Sequence, residues 1–305
     1  MNLFRKLSIF IFLFFTFFCA VQAQEITAEI PWKAGQVQFD NHKWTEVIVG
    51  DMPLVISVPH GGALNPEEIP DRDCEGAVTV TDGRTIQTVK AIREAFLAKY
   101  HKSPYIIISH LSRKKVDQNR EIEIATCGNA LAKQGWNYFH SSIDTALTDA
   151  VRKFGHTIYI DFHGQSHPNR RLELGYSLTS QNLQDLFVGK EIKAAKHTSL
   201  QNYLQKHPER TLSEMLFGKG AFGSIIYNLG KPATPALQDP HPVEDEKFFS
   251  GGYNTRRYTS SAHPLVFGWQ IEANNQGVRD TEENRKAFAA VFVQAFTAFI
   301  EANPF

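Results

Sequence analysis

The chain has 305 residues, and its 32 basic and 32 acidic side chains balance to a formal net charge of zero at pH 7. No basic run stands out, which excludes a nucleic-acid footprint of the electrostatic kind. Three cysteines are too few for a disulfide framework.

The first two dozen residues differ from the rest. Arg5 and Lys6 precede an almost wholly apolar run from Leu7 to Val21, with six phenylalanines between Phe10 and Phe18, and Val21-Gln22-Ala23 offers small residues at a cleavage position. That is the order of a secretory signal peptide. A spanning helix needs about 20 apolar residues, so the run is short for a retained anchor. Cys19 follows the bulky Phe17 and Phe18, which argues against lipidation. The expectation is a signal peptide over 1–23, export to the periplasm or medium, no stable membrane insertion after cleavage, and one domain over 24–305. Loss of Arg5 and Lys6 leaves 30 basic against 32 acidic residues. Some 280 residues suffice for a single α/β domain with a sizeable core. Cys74 and Cys127 survive processing, and an oxidising compartment allows a bridge between them without requiring one.

In chain order, Glu25 to Ile30 and Gln36 to Phe39 read as short edge strands. Thr45 to Val49 and Leu54 to Val58, joined through Gly50-Asp51, read as a hairpin. The second of these runs is a short apolar strand ending in Pro59-His60-Gly61-Gly62. Asn65 to Thr81 is a polar loop long enough to be functional. Ile86, Val89, Ile92, Phe96 and Leu97 recur at helical spacing through Tyr100. Asp82, just before that helix, is either its N-cap or a carboxylate ligand projecting from the same turn. Spacing leaves both open.

Tyr105 to Ser109 is another apolar strand, and the charged segment Ser112 to Glu121 follows it. A segment this charged suits a solvated loop, yet it holds Arg113, Asn119 and Arg120, and arginine's planar fork pairs bidentately with carboxylates. Trp136 to Phe154 reads as a helix. It leads into Ile158-Tyr159-Ile160-Asp161-Phe162-His163-Gly164, a second buried strand delivering a histidine and a glycine. A single such His suits a satisfied polar residue at a strand end. Two in the same form suggest imidazoles converging on one metal, because the carboxyl ends of strands are where open α/β sheets bind ligands.

Leu172 to Leu178 reads as a strand, and Glu191 to Lys206 and Thr211 to Phe217 as helices. Pro232, Pro235, Pro240 and Pro242 mark a long loop. Phe249 to Tyr258 sets two glycines beside Arg256 and Arg257, either as a surface turn or as a substrate-binding loop. Leu265 to Ile271 is a late apolar strand with Glu272 at its mouth, and Glu282 to Glu301 is an amphipathic helix whose phenylalanine stripe is core packing.

Strand ends and adjoining turns thus supply His60, Asp82, His163, Arg113, Asn119, Arg120 and Glu272. Two imidazoles and one carboxylate leave a fourth zinc position open, the catalytic rather than the structural arrangement. A glutamate that is not a ligand can move the proton, one arginine can stabilise an oxyanion, and another can anchor a carboxylate. The chemistry implied is hydrolysis of an amide next to a carboxylate-bearing group, with one Zn2+ per chain.

From Pro53 to Asn274 the chain resembles the N-formylglutamate amidohydrolase family and, more distantly, the zinc carboxypeptidases. The resemblance rests on Pro59-His60-Gly61-Gly62, on Ser112-Arg113 with Asp117 and Asn119-Arg120, on Asp161-Phe162-His163-Gly164, on Gly251-Gly252-Tyr253 with Thr255-Arg256, and on Gln270-Ile271-Glu272. It implies His60 and His163 as metal ligands, Glu272 as catalytic base, Arg113 beside the oxyanion, and Asn119 and Arg120 on the substrate carboxylate. Where the carboxypeptidases place a ligand glutamate three residues after the early histidine, this chain has Ala63. Asp82 is the choice for the middle ligand by resemblance to formylglutamate-type sequences, with Glu67, Glu68 and Asp73 as competitors. The implied fold is a three-layer α/β sandwich, a mixed central sheet with helices on both faces, as in the zinc carboxypeptidases. Export points away from cytoplasmic N-formylglutamate and toward another N-acyl amino acid, a peptide or a cell-wall fragment with a free carboxylate. Arg256 and Arg257 suit an acidic ligand. The rivals are a non-catalytic binder of carboxylates on the same fold, which has no need of Glu272, and a serine hydrolase, for which no Gly-x-Ser-x-Gly elbow occurs.

Overall fold

The computed structural model describes residues 32–305, so the signal peptide and the strand expected at 25–30 lie outside the described residues. The strands are β1 (Val37–Phe39), β2 (Thr45–Ile48), β3 (Leu54–Val58), β4 (Tyr105–Ser109), β5 (Thr157–Gln165), β6 (Leu172–Gly175), β7 (Ala233–Thr234) and β8 (Val266–Asn274). They form one mixed sheet in the order β1-β2-β4-β3-β5-β8-β6-β7. The central four, β4, β3, β5 and β8, are parallel. The β1–β2 pair adds antiparallel on one side, and β6 runs antiparallel to β8 on the other.

Helices α1 (Thr85–Tyr100), α2 (Ile122–Thr126), α3 (Ala130–Phe154), α4 (Ser180–Phe187), α5 (Gln201–Lys206), α6 (Leu212–Phe217), α7 (Phe222–Asn228), α8 (Tyr253–Tyr258) and α9 (Glu282–Ala302) surround the sheet. Strand residues alternate between its faces. Leu54, Ile56, Val58, Ile158, Ile160 and Phe162 pack with Phe96 of α1 and with Phe288, Phe292 and Phe296 of α9. Val55, Tyr105, Ile107 and Tyr159 pack instead with Phe139, Ile143 and Leu147 of α3. Both faces are therefore covered, which is why the central strands read as continuous apolar runs. The expected three-layer α/β architecture is the one observed.

The hairpin expected between Thr45 and Val58 is not formed. β4 lies between β2 and β3, pairing antiparallel with the first and parallel with the second. Hydrophobic alternation fixes which face a residue takes, but not which strand it pairs with. The helix expected from Glu191 to Lys206 is instead a short 3-10 turn at Lys193–His197 followed by α5, while α4 and α7 were not anticipated. Cys74 and Cys127 form a disulfide, 53 residues apart in sequence, that ties the loop before α1 to the end of α2. Among the described residues, no helix is long and apolar enough to cross a membrane.

Alternation also sorts the polar residues. On the face of β5 opposite Ile158, Ile160 and Phe162 stand Tyr159, Asp161 and His163. The register sets Ser57 and Gln270 on either side of Asp161, and Glu272 beside His163. Glu173 of β6 lies across from Glu272 on its other side. The carboxyl ends of β3, β5 and β8 thus carry a polar row on the α3 side.

Candidate metal centre

His60 follows β3 by two residues, His163 lies within β5, and Asp82 sits in the turn before α1. One ligand atom from each lies within 4.8 Å of the others, so the three form a group able to hold a metal ion. Asp82 Oδ2 is 3.1 Å from His163 Nδ1 and 3.6 Å from His60 Nδ1. The capping alternative for Asp82 is not realised. Residue 84, a left-handed arginine with no side-chain cap bond, precedes α1, and the Asp82 carboxylate turns to the imidazoles and accepts from the Gly164 N–H. Glu67, Glu68 and Asp73 are exposed and outside the cavity.

Each imidazole is oriented from behind by a fully buried aspartate. His60 Nε2–H donates to Asp117 Oδ1 at 2.6 Å, and His163 Nε2–H donates to Asp161 Oδ2 at 2.8 Å. This leaves both Nδ1 atoms facing Asp82, and His60 Nδ1 is buried with no hydrogen-bond partner. Carboxylate behind imidazole is the arrangement that fixes the tautomer and raises the basicity of a ligating histidine. The orphaned nitrogen fits a metal, since buried polar atoms are otherwise satisfied.

The aspartates are themselves held. Asp117 accepts from the Asn119 N–H and from Arg113 Nε–H, each at 3.0 Å. Asp161 Oδ1 accepts from Ser57 Oγ–H at 2.6 Å and from Asn254 Nδ2–H at 3.3 Å, while Tyr159 O–H donates onward to Ser57. Burial would raise the Asp117 pKa, but the His60 ring and the Arg113 guanidinium hold it well below the usual carboxylate range. Asp82 behaves alike: burial is outweighed by the hydrogen bond to His163 and by the pull of the His60 ring beside it, which hold its pKa below the usual carboxylate range. Burial would lower the His163 pKa; Asp161 and Asp82 together push it well above the ordinary imidazole value.

These residues open onto a cavity of about 240 Å³ whose lining includes Arg113, Asn119, Arg120, Phe249, Gly252, Gln270 and Glu272. Arg113 spends two donors on Asp117 and has others left. Among the described residues Arg120 has no carboxylate partner, and Trp136 Nε1–H holds its carbonyl at 3.0 Å. Asn119 lines the cavity, but its carboxamide oxygen accepts from the Asn254 N–H, and a Cβ at Gly252 would overlap its amide. Arg256, expected at the substrate, is exposed and outside the lining. Its Nη1 donates to Gly251 O at the cavity rim. Helix α8 turns its side chain outward, so it braces the glycine loop in this structure.

Glu272 is 5% exposed and accepts from Gln270 Nε2–H at 2.8 Å. Burial first, and then the charges of Asp82, Glu173 and Asp161, raise its pKa to about 8 against the opposing pull of His163. In metal-free protein the folded state therefore holds a proton that the unfolded chain releases near the ordinary glutamate value of 4.5. Stability falls as pH rises across that window. Glu272→Gln removes this slope: in chelated protein its Tm, measured against the parent, is expected to gain steadily from pH 5 to 8. A Tm difference independent of pH contradicts the shift.

Sequence reasoning did not anticipate the roles of Asp117, Asp161, Asn254 and Gln270. For Asp161 a signal was present, since an acid two residues before a strand histidine shares its face.

No family model matches the chain, and no curated protein matches it. Solved structures similar to it include N-formylglutamate amidohydrolase from Ralstonia eutropha JMP134, at 12% identity and a TM-score of 0.49, covering 85% of this chain and 96% of that one. They also include the gene product Atu2144 from Agrobacterium tumefaciens, at 11% identity and 0.43, covering 83% and 95%. A third is the CwlD amidase from Clostridioides difficile in complex with the GerS lipoprotein, at 10% and 0.33, covering 82% and 98%.

Proposed function

We propose that the chain is an exported, zinc-dependent amidohydrolase that cleaves the amide of an N-acyl, N-formyl-type amino acid or of a small carboxylate-bearing peptide. The observation that carries this reading is the convergence of two aspartate-backed imidazoles on Asp82, with a buried glutamate beside them. Two nitrogens and one carboxylate oxygen suit zinc with an open position. The disulfide suits an oxidising compartment.

His60, Asp82 and His163 would hold the zinc, which when bound would supply Lewis acidity toward a carbonyl oxygen and lower the pKa of water toward about 7. Glu272, beside His163 at the mouth of β8, takes a proton from the attacking water and returns it to the departing nitrogen. Arg113, steadied by Asp117, directs its remaining N–H donors at the developing oxyanion. Arg120 anchors the substrate carboxylate, and Asn119 holds the glycine loop over it.

The test is a screen of N-formyl, N-acetyl and dipeptide substrates with zinc present, comparing acidic and neutral side chains. Turnover of at least one carboxylate-bearing amide is expected; binding of such compounds without any turnover would favour the carboxylate-binder reading. Arg120→Ala is expected to raise KM by about 10–100-fold, the loss of a charge-assisted pair of roughly 1.5–3 kcal/mol, with a smaller change in kcat. Unaltered KM for carboxylate substrates removes its anchoring role.

A further inference from the structure

We infer that Arg279 is a positioning residue that clamps the Asp82 turn to the two strand ends bearing His163 and Glu272, and so sets the affinity of the site for a divalent ion. The inference rests on the metal reading above and extends it to a residue outside the cavity.

Arg279 is 3% exposed and lies just beyond β8, in the turn made by Gly277 at φ +78°. Its guanidinium makes no ion pair among the described residues. It donates instead to three backbone carbonyls: Nε to Ala273 O at 2.9 Å, Nη2 to Gln165 O at 3.0 Å, and Nη1 to Gly83 O. Ala273 follows Glu272, Gln165 lies two residues after His163, and Gly83 follows Asp82. One planar cation thus joins the segments that carry three of the proposed site residues. Two other observations point the same way. A Cβ at Gly164 would collide with the guanidinium, so glycine there lets the clamp pass close to β5. The Gly164 N–H also donates to Asp82 Oδ2 at 3.2 Å, so the clamped strand end touches the ligand itself. β5 and β8 are already paired, whereas the Asp82 turn is outside the sheet. The clamp's main effect therefore falls on Asp82. Lysine cannot replace it, because an ammonium lacks the rigid fork that reaches three carbonyls in fixed directions.

The experiment measures zinc affinity of chelator-stripped protein by competition with a chromophoric chelator. Arg279→Lys is made in the parent and in an Asp82→Ala background. In the parent the substitution is expected to weaken zinc binding by about 10–100-fold, the range for outer partners of metal ligands. In the Asp82→Ala background it is expected to cost less than about 3-fold, because residues acting through one another are not additive. Equal losses in both backgrounds, or none in the parent, overturn the inference. Arg285→Met is the milder probe: Arg285 Nη1 donates to the Arg279 carbonyl at 2.9 Å from a half-buried position on α9. It should weaken zinc binding in the same direction by a smaller factor, and parent-level affinity there also overturns the clamp. A parent chain that binds no zinc would instead remove the metal reading itself.

Discussion

Glu272→Gln is expected to bind zinc as the parent does and to turn over its substrates about 10²–10⁴-fold more slowly, the range for a positioned general base. That corresponds to about 3–5 kcal/mol of transition-state stabilisation at 1.36 kcal/mol per decade. Glutamine keeps the size of the side chain and can still accept from Gln270 Nε2–H, which now bonds Glu272 Oε1 at 2.8 Å. What it loses is the capacity to take a proton. Glu272 is set apart from the three converging ligand atoms, so the loss should appear in kcat with metal content unchanged. A variant that hydrolysed N-acyl amino acids at the parent rate would show that another group moves the proton. Glu173, buried across the strand from Glu272 but already bonded to His167 and to the Phe249 N–H, would be the first candidate.

Asp82→Ala is expected to lower zinc affinity by more than about 10²-fold, since even outer-shell partners are worth roughly 10–100-fold. Among the described residues the carboxylate is the one anionic group facing both Nδ1 atoms, and its own pKa is held low by the imidazoles it faces. Its removal also leaves the Gly164 N–H without the acceptor it now has. Equilibrium dialysis against a zinc buffer checks this directly. Unchanged affinity would return the middle position to Glu67, Glu68 or Asp73, each of which would have to move inward from an exposed loop.

The strand ends were legible because parallel strands buried on both faces announce themselves as short apolar runs, and the same strand-His-Gly form occurs twice, at His60 and His163, where a single one would suit a satisfied strand-end histidine. The histidines, Asp82, Glu272, Arg113, Asn119 and Arg120 are accordingly found together around one cavity. Two kinds of information were not legible. Pairing order was one: β2 and β3 adjoin in sequence, yet β4 enters between them through contacts some 60 residues away. The direction of a side chain on a short helix was the other. Arg256 belongs to α8, and the turn of that helix, rather than any local pattern, sends it to the rim while Asn254 points back to Asp161. The backing aspartates fell between these cases. Asp161 shares a strand face with His163, but Asp117 reaches His60 only through the fold of its loop.

Metal analysis of protein purified without chelator tests most directly whether His60, Asp82 and His163 share one ion. The parent is expected to carry about one zinc per chain, filling a three-ligand catalytic site, and His60→Ala and His163→Ala are each expected to lose most of it. Zinc retained at the parent level with both imidazoles removed, or a parent chain free of zinc, would contradict the shared site and the amide chemistry built on it.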